Sequence, residues 1–190
     1  NTLKKPIGRQ DQYICSSQDI ACFKYQRNGV VTEQKLHDNK SRAIKKSIKT
    51  LYLIPTGIKR SSDLVLNKLK EDKANFLKIR ELRKLMEDFL IDKNSSEEYA
   101  FHSLNNAIQE SWEIKKNMTG IMNFELEKKL QNLNNCPNYW IRLVGAGAGG
   151  YFLLSSKLNE ELTKRYLKNL GFNFFFKPEI DNLGPKSEIF

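Results

Sequence analysis

Imidazole and thiol groups are few and scattered in this chain: His37, His102, Cys15, Cys22 and Cys136, with no C-x-x-C pair. A structural zinc site needs four such ligands at short spacings, so metal–thiolate chemistry is set aside. An odd thiol count without a disulfide framework fits a reducing compartment, and a cytoplasmic protein is expected. Neither histidine has the surroundings of a Cys–His nucleophile, and Cys15 and Cys22 read as small buried residues. No apolar run approaches the ~20 residues of a membrane-spanning helix. No apolar stretch follows Lys4, Lys5, Pro6 and Gly8 to make a signal peptide. No membrane partner is therefore expected, and there is no internal repeat or low-complexity tract.

Acidic residues are scarce in one region. Residues 1–60 carry 13 Lys+Arg against 4 Asp+Glu, which leaves 19 against 18 for the rest of a chain with net charge +10. Something anionic is expected to meet the first third, and the remainder reads as a charge-balanced domain. With 190 residues, 39% of them hydrophobic, a sizeable core can form, as one large domain or two small ones. The division drawn here is 1–60 and 61–190.

The first part reads as β-rich. Ile20–Tyr25 and Val30–Leu36 flank Arg27, Asn28 and Gly29, and Asn-Gly between two such runs signals a hairpin. Ile48–Ile54 reads as a third strand, closed by Pro55, Thr56 and Gly57. From Ser61 the period becomes helical through Leu64, Leu69, Phe76, Ile79, Leu82, Met86 and Phe89, with Ser62 as N-cap. A second helix begins near Ser95 or Ser96, with a Ser95–Glu98 capping box, and buries Tyr99, Leu104, Ile108, Trp112 and the Lys115 stem. A third spans Asn123 to Leu133, stopped by Asn134, Asn135 and Pro137. Then come strand Tyr139–Val144, a glycine loop, strand Tyr151–Ser155, helix Asn159–Leu170 capped by Gly171, and strand Phe172–Phe176. This order predicts an α+β fold with helices on an antiparallel sheet.

Gly145-Ala-Gly-Ala-Gly-Gly150 matches G-x-G-x-x-G, yet Tyr-Phe-Leu-Leu comes next where a dinucleotide fingerprint needs a helix. No Gly-Lys-Ser/Thr ends the run, so it is not a Walker loop either. Two readings stand side by side. The small residues let a hairpin cross closely over other chain, or they let main-chain N–H groups approach a substrate or its phosphates.

Three stretches carry a family resemblance: Gly8-Arg-Gln-Asp-Gln-Tyr13, Tyr52-Leu-Ile-Pro-Thr-Gly-Ile-Lys-Arg60, and Arg142-Leu-Val-Gly-Ala-Gly-Ala-Gly-Gly-Tyr-Phe-Leu-Leu154. In order and separation they resemble the GHMP family of small-molecule kinases, most closely the sugar-1-kinases of the D-glycero-D-manno-heptose 7-phosphate kinase type. Their patterns there are G-K/R-Q-D-Q-Y, T-G-x-x-R and K-L-x-G-A-G-G-G-G-F-x-L. Trp112-Glu-Ile-Lys-Lys116 is similar to a W-x-x-K-K segment of that branch. The chain departs from the pattern at Gln18-Asp19, where the branch has Gly-Gly, at Arg142 for lysine and at Ala148 for glycine.

The resemblance implies a ferredoxin-like C-terminal domain, preceded by strands of an N-terminal kinase domain in residues 1–60. It implies ATP-dependent phosphorylation of a sugar phosphate, at the anomeric hydroxyl of a heptose 7-phosphate, with Mg2+ as the accompanying ion. No P-x-x-x-G-L-G-S-S phosphate loop occurs in the sequence, so that loop and the magnesium ligands are expected in a preceding segment, and the chain alone is expected to be inactive. Asp11 matches the family's catalytic aspartate, as base or hydroxyl-orienting group. Arg9, Gln10, Gln12 and Arg60 would hold the substrate, the arginines by bidentate bonds to its phosphate. Thr56 and Gly57 would let backbone reach the sugar, with Gly145, Gly147, Gly149 and Gly150 lining the same site. Lys115 and Lys116 read as a solvated helix face and Trp112 as core.

Two readings from other classes accompany this one. A ligand-binding or regulatory module of kinase shape would use the same residues without turnover. Nucleic-acid binding is disfavoured, because Phe172, Phe174, Phe175 and Phe176 lie away from the basic cluster. A homodimer is compatible with the kinase reading.

Overall fold

A computed structural model of the protein describes residues 13–14, 17, 20–26, 28–59, 61–91 and 96–179. The expected hairpin is there. β1 (Ala21–Tyr25) and β2 (Val31–Lys35) pair antiparallel, Tyr25 opposite Val31. Gly29 turns the corner at φ 85°, and the Asn28 side chain accepts the Val30 amide at 3.1 Å.

The segment after the hairpin corrects the β-rich reading, because residues 38–48 form a helix. In α1 (Asp38–Ile48) Lys40, Ala43 and Ser47 make the buried stripe, Asp38 sits in the first turn and Lys45 and Lys46 in the last, as the helix dipole favours. With so few apolar residues the stripe is invisible to a hydrophobicity count. It closes because Ala43 packs on Ala100 and Phe101, and the Lys40 ammonium donates to the Phe89 carbonyl. The third strand is accordingly shorter than expected, β3 (Leu51–Pro55).

The long helical period from Ser62 is two helices, α2 (Ser62–Glu71) and α3 (Ala74–Ile91), the first capped at Ser61 rather than Ser62. Asp72 makes the break. Its carboxylate accepts the Ala74 amide at 2.9 Å and the Thr119 hydroxyl. The Thr119 bond first, then the Ala74 amide, hold its carboxyl below the usual range.

α4 (Glu97–Lys116) starts at Ser96, whose hydroxyl accepts the Tyr99 amide at 3.2 Å. Ser95 lies outside the described residues. Glu98 turns to Lys46 of α1 at 2.5 Å, and Tyr99, expected in the core, is exposed. Leu104 and Trp112 are buried as expected. α5 (Phe124–Leu133) and α6 (Glu160–Asn169) open on Asn123 and Asn159, each side chain accepting an amide one turn in. At the end of α6 the Gly171 amide reaches the Lys168 carbonyl and the Phe172 amide the Leu167 carbonyl, both at 2.9 Å, around a glycine at φ 86°.

β4 (Asn138–Val144) and β5 (Tyr151–Ser156) join β3 in an antiparallel sheet of order β3-β5-β4. Tyr52, Ile54, Phe152, Leu154, Ile141 and Leu143 face one way into the main core, where Leu126 and Leu133 of α5 and Leu167 of α6 cover them. On the other face, Leu53, Leu153 and Arg142 form one row and Pro55, Tyr151 and Val144 the next. α4 runs beside the β4 edge. Asn105 accepts the Trp140 indole N–H at 2.7 Å, and Lys115 reaches the Gly145 carbonyl. The strand expected over Phe172–Phe176 shrinks to a single bridge, Phe176 exchanging two bonds with Leu53. Phe172 and Phe175 are held by core packing instead of by a ladder. No helix among the described residues is long and apolar enough to cross a membrane.

Lys164, at 2.6 Å, and then Lys177 hold the Glu160 carboxyl down from 4.5 to about 2. A depressed folded pKa contributes stability above the unfolded value that is lost as pH falls through the folded one. Acid titration followed by circular dichroism should therefore show a loss between pH 4.5 and about 2 that shrinks in Glu160→Gln. An unchanged profile in that variant would remove Glu160 from the account.

Candidate functional site

The turn after β3 and the loop between β4 and β5 meet at one end of the sheet. Thr56 is fully buried; its amide and hydroxyl both donate to the Gly150 carbonyl, at 2.8 and 2.9 Å, and its hydroxyl accepts the Ile58 amide at 3.2 Å. Lys129 of α5 caps the Thr56 carbonyl at 2.6 Å. Gly57, exposed at φ 73°, lies against the same ammonium. The Thr-Gly motif and the glycine loop are thus bonded into one structure around a shallow depression of about 490 Å³, lined by Ile58, Lys59, Val144, Gly145, Gly150 and Tyr151.

The glycine loop is wedged between two backbone segments. A Cβ on Gly147 would stand 2.7 Å from the Ile121 side chain and 3.1 Å from its Cα; one on Gly149 would stand 2.6 Å from the Ile58 carbonyl oxygen. The Ala148 amide donates to the Ile121 carbonyl at 2.8 Å and the Gly150 amide to the Ile58 carbonyl at 3.3 Å. Close crossing explains Gly147 and Gly149. The amides of Ala148 and Gly150 face protein and are not available to a ligand.

Ala148 carries the cost of this path. It stands at φ 58°, where a Cβ is strained. Ala148→Gly is expected to raise stability by about 0.5 kcal/mol, relief of the left-handed strain less the added freedom of the unfolded chain. The urea midpoint measures it; a fall would show that the Ala148 methyl is needed for packing.

Lys115, read as solvated, donates to the Gly145 carbonyl at 2.8 Å, and Lys129 carried no sequence signal at all. Both reach loop carbonyls from helices distant in sequence, so no local pattern could mark them. Lys116 pairs with Glu113 on its own helix. Arg9, Gln10, Asp11, Gln12, Cys15 and Arg60 lie outside the described residues. Tyr13, which ends the Asp-Gln-Tyr motif, packs against Phe23 and Tyr25 of the ribbon, each at 5.8 Å between ring centroids. Beside the ribbon, its strands and α1 enclose a cleft of about 510 Å³ whose lining includes Ser17, Glu33, Lys35, Arg42 and Lys45. Burial pushes up the thiols of Cys22 and Cys136, which disfavours their thiolate forms.

A magnesium site does not fit the described residues, among which no three His, Cys, Asp or Glu side chains gather closely enough to hold a metal ion. Of the nearby lysines Lys59 lines the depression, Lys129 also pairs with Glu125 at 3.1 Å, and Lys115 is engaged by the Gly145 carbonyl.

The architecture is that of part of the GHMP kinase fold. The solved structures that show this are mevalonate kinases. One, described as the crystal structure of mevalonate kinase, matches 76% of this chain and 43% of its own at TM-score 0.55 and 21% identity. The L. major enzyme in complex with R-mevalonate matches 83% and 47% at 0.58 and 14% identity. The Methanococcus jannaschii enzyme matches 76% and 43% at 0.54 and 19% identity. The chain therefore spans less than half the length of these kinases. No protein-family model matches the sequence, and no curated protein does.

Proposed function

We propose that the protein is a GHMP-type phosphotransferase that moves the γ-phosphoryl of ATP to a hydroxyl of a small acceptor, a sugar phosphate of the heptose 7-phosphate class. The supporting observation is the joint built by Thr56, Gly57 and the glycine loop, rimmed by Lys59, Lys115 and Lys129, on a fold shared with mevalonate kinases. In the proposed step the acceptor oxygen bonds to the γ-phosphorus as the bond to the β-phosphate oxygen breaks, and the hydroxyl proton passes to Asp11. Arg9 and Arg60 would take the acceptor's phosphate, Gln10 and Gln12 its hydroxyls. ATP supplies the phosphoryl group when bound. Its phosphate loop and the magnesium ligands are assigned to sequence beyond this chain.

The test is phosphate transfer from labelled ATP, with the product of the complete reading frame, to heptose 7-phosphate, other sugar phosphates and mevalonate. Transfer to a sugar phosphate is expected. Transfer to mevalonate alone overturns the acceptor class, and no transfer to any of them overturns the kinase reading.

A further inference from the structure

Tyr151 opens β5 on the outer face of the sheet, in one row with Pro55 of β3 and Val144 of β4. It is 41% exposed, and no aromatic ring or ammonium among the described residues lies against it. Single exposed aromatics are common on protein surfaces. Here the ring lines a concavity together with two branched apolar side chains, Val144 and Ile58, so the depression beside the glycine loop has an apolar wall open to solvent.

The polar groups around that wall are mostly committed. The Gly150 carbonyl accepts the Thr56 amide and hydroxyl, the Gly150 amide donates to Ile58, and the Gly145 carbonyl takes Lys115. Lys59 is the exception. It lines the depression, is exposed, and is engaged by no carboxylate or carbonyl among the described residues. An apolar wall with one unengaged ammonium suits a ligand that carries both a ring with an apolar face and an anionic substituent. A bare phosphate would leave the wall in water, and an uncharged ring would leave the ammonium unused. The depression is shallow and covers one face of such a ligand, which is all that stacking requires.

We propose that Tyr151 is the platform on which the sugar ring of the acceptor lies, with the Lys59 ammonium on its phosphate, so that the site selects cyclic acceptors over acyclic ones. The proposal deepens the phosphotransferase reading and rests on it for calling this ligand the acceptor. Lys59 precedes Arg60, which that reading assigns to the same phosphate.

The experiment labels the seven tyrosines as 3-fluorotyrosine and follows their 19F signals during titration. The Tyr151 signal is assigned by its disappearance in Tyr151→Phe, which keeps the ring. Heptose 7-phosphate should shift that signal saturably, while inorganic phosphate and the acyclic glycerol 3-phosphate at equal concentration should not. By saturation transfer to the sugar C–H protons, Tyr151→Phe should keep the wild-type affinity and Tyr151→Leu should bind about tenfold more weakly. Lys59→Gln should bind about fivefold more weakly, with the Tyr151 shift at saturation retained. An unmoved Tyr151 signal overturns the proposal. So does an equal shift from glycerol 3-phosphate, wild-type affinity in Tyr151→Leu, or saturation by ADP at lower concentration than the sugar phosphate, which would give the ring to a nucleotide base. Turnover of heptose 7-phosphate by the complete protein that Tyr151→Leu leaves undiminished sinks this inference alone. A sugar phosphate that docks on Tyr151 in a protein that transfers nothing from ATP sinks only the kinase reading.

Discussion

Gly149→Ala is expected to lower stability by about 3 kcal/mol, from a steric clash in the loop and the loss of a backbone hydrogen bond. A Cβ there would sit 2.6 Å from the Ile58 carbonyl oxygen and 3.2 Å from its Cγ2. That oxygen cannot retreat freely, because it accepts the Gly150 amide at 3.3 Å, and Gly150 in turn accepts from both the Thr56 amide and hydroxyl. The backbone at φ 149° adds strain for any side chain. Gly171→Ala is the control. Its φ of 86° also favours glycine, but nothing lies within 4 Å of the added methyl, so only the left-handed cost of about 1 kcal/mol is expected. Urea unfolding of both variants separates the two effects. If Gly149→Ala costs no more than Gly171→Ala, the wedging of the loop against Ile58 is not what glycine is there for.

Asp11→Ala is expected to reduce kcat of the complete protein about 10³-fold, the contribution of a positioned proton acceptor. KM for the acceptor should change much less, since binding is assigned to Arg9, Arg60 and the glutamines. Tyr13 ties the motif to the ribbon through Phe23 and Tyr25, so the alanine variant should keep its fold, which circular dichroism checks. Turnover near the wild-type rate would take Asp11 out of the mechanism. An equal loss in kcat/KM through KM alone would recast it as a binding group.

Local chemistry made much of this protein legible. Asn-Gly marked the ribbon, Asn123 and Asn159 marked two helix starts, and Gly171 marked a helix end, each because a short-range hydrogen bond or a positive φ demands that residue type. The apolar runs Tyr139–Val144 and Tyr151–Ser155 marked two strands of the larger sheet. Legibility failed where a distant partner decides. The α2–α3 break depends on Thr119, 47 residues from Asp72, and α1 depends on Ala100 and Phe101 receiving Ala43. Tyr99, expected in the core, lies off the stripe of Ala100, Phe101, Leu104, Asn105 and Trp112 that α4 buries, and faces solvent.

The site divides in the same way. Thr56, Gly57 and the six small residues from Gly145 stood out as a pattern, and so did the scarcity of acidic residues in the first third of the chain. Lys59 of that first third lines the depression, and Lys115 and Lys129, from the charge-balanced remainder, reach loop carbonyls beside it. The sequence by itself determined which residues could turn, cap or alternate, since those properties belong to a residue and its near neighbours. Only the tertiary structure decided which loop amides face protein and which lysines reach loop carbonyls, because each depends on segments that folding alone brings into contact.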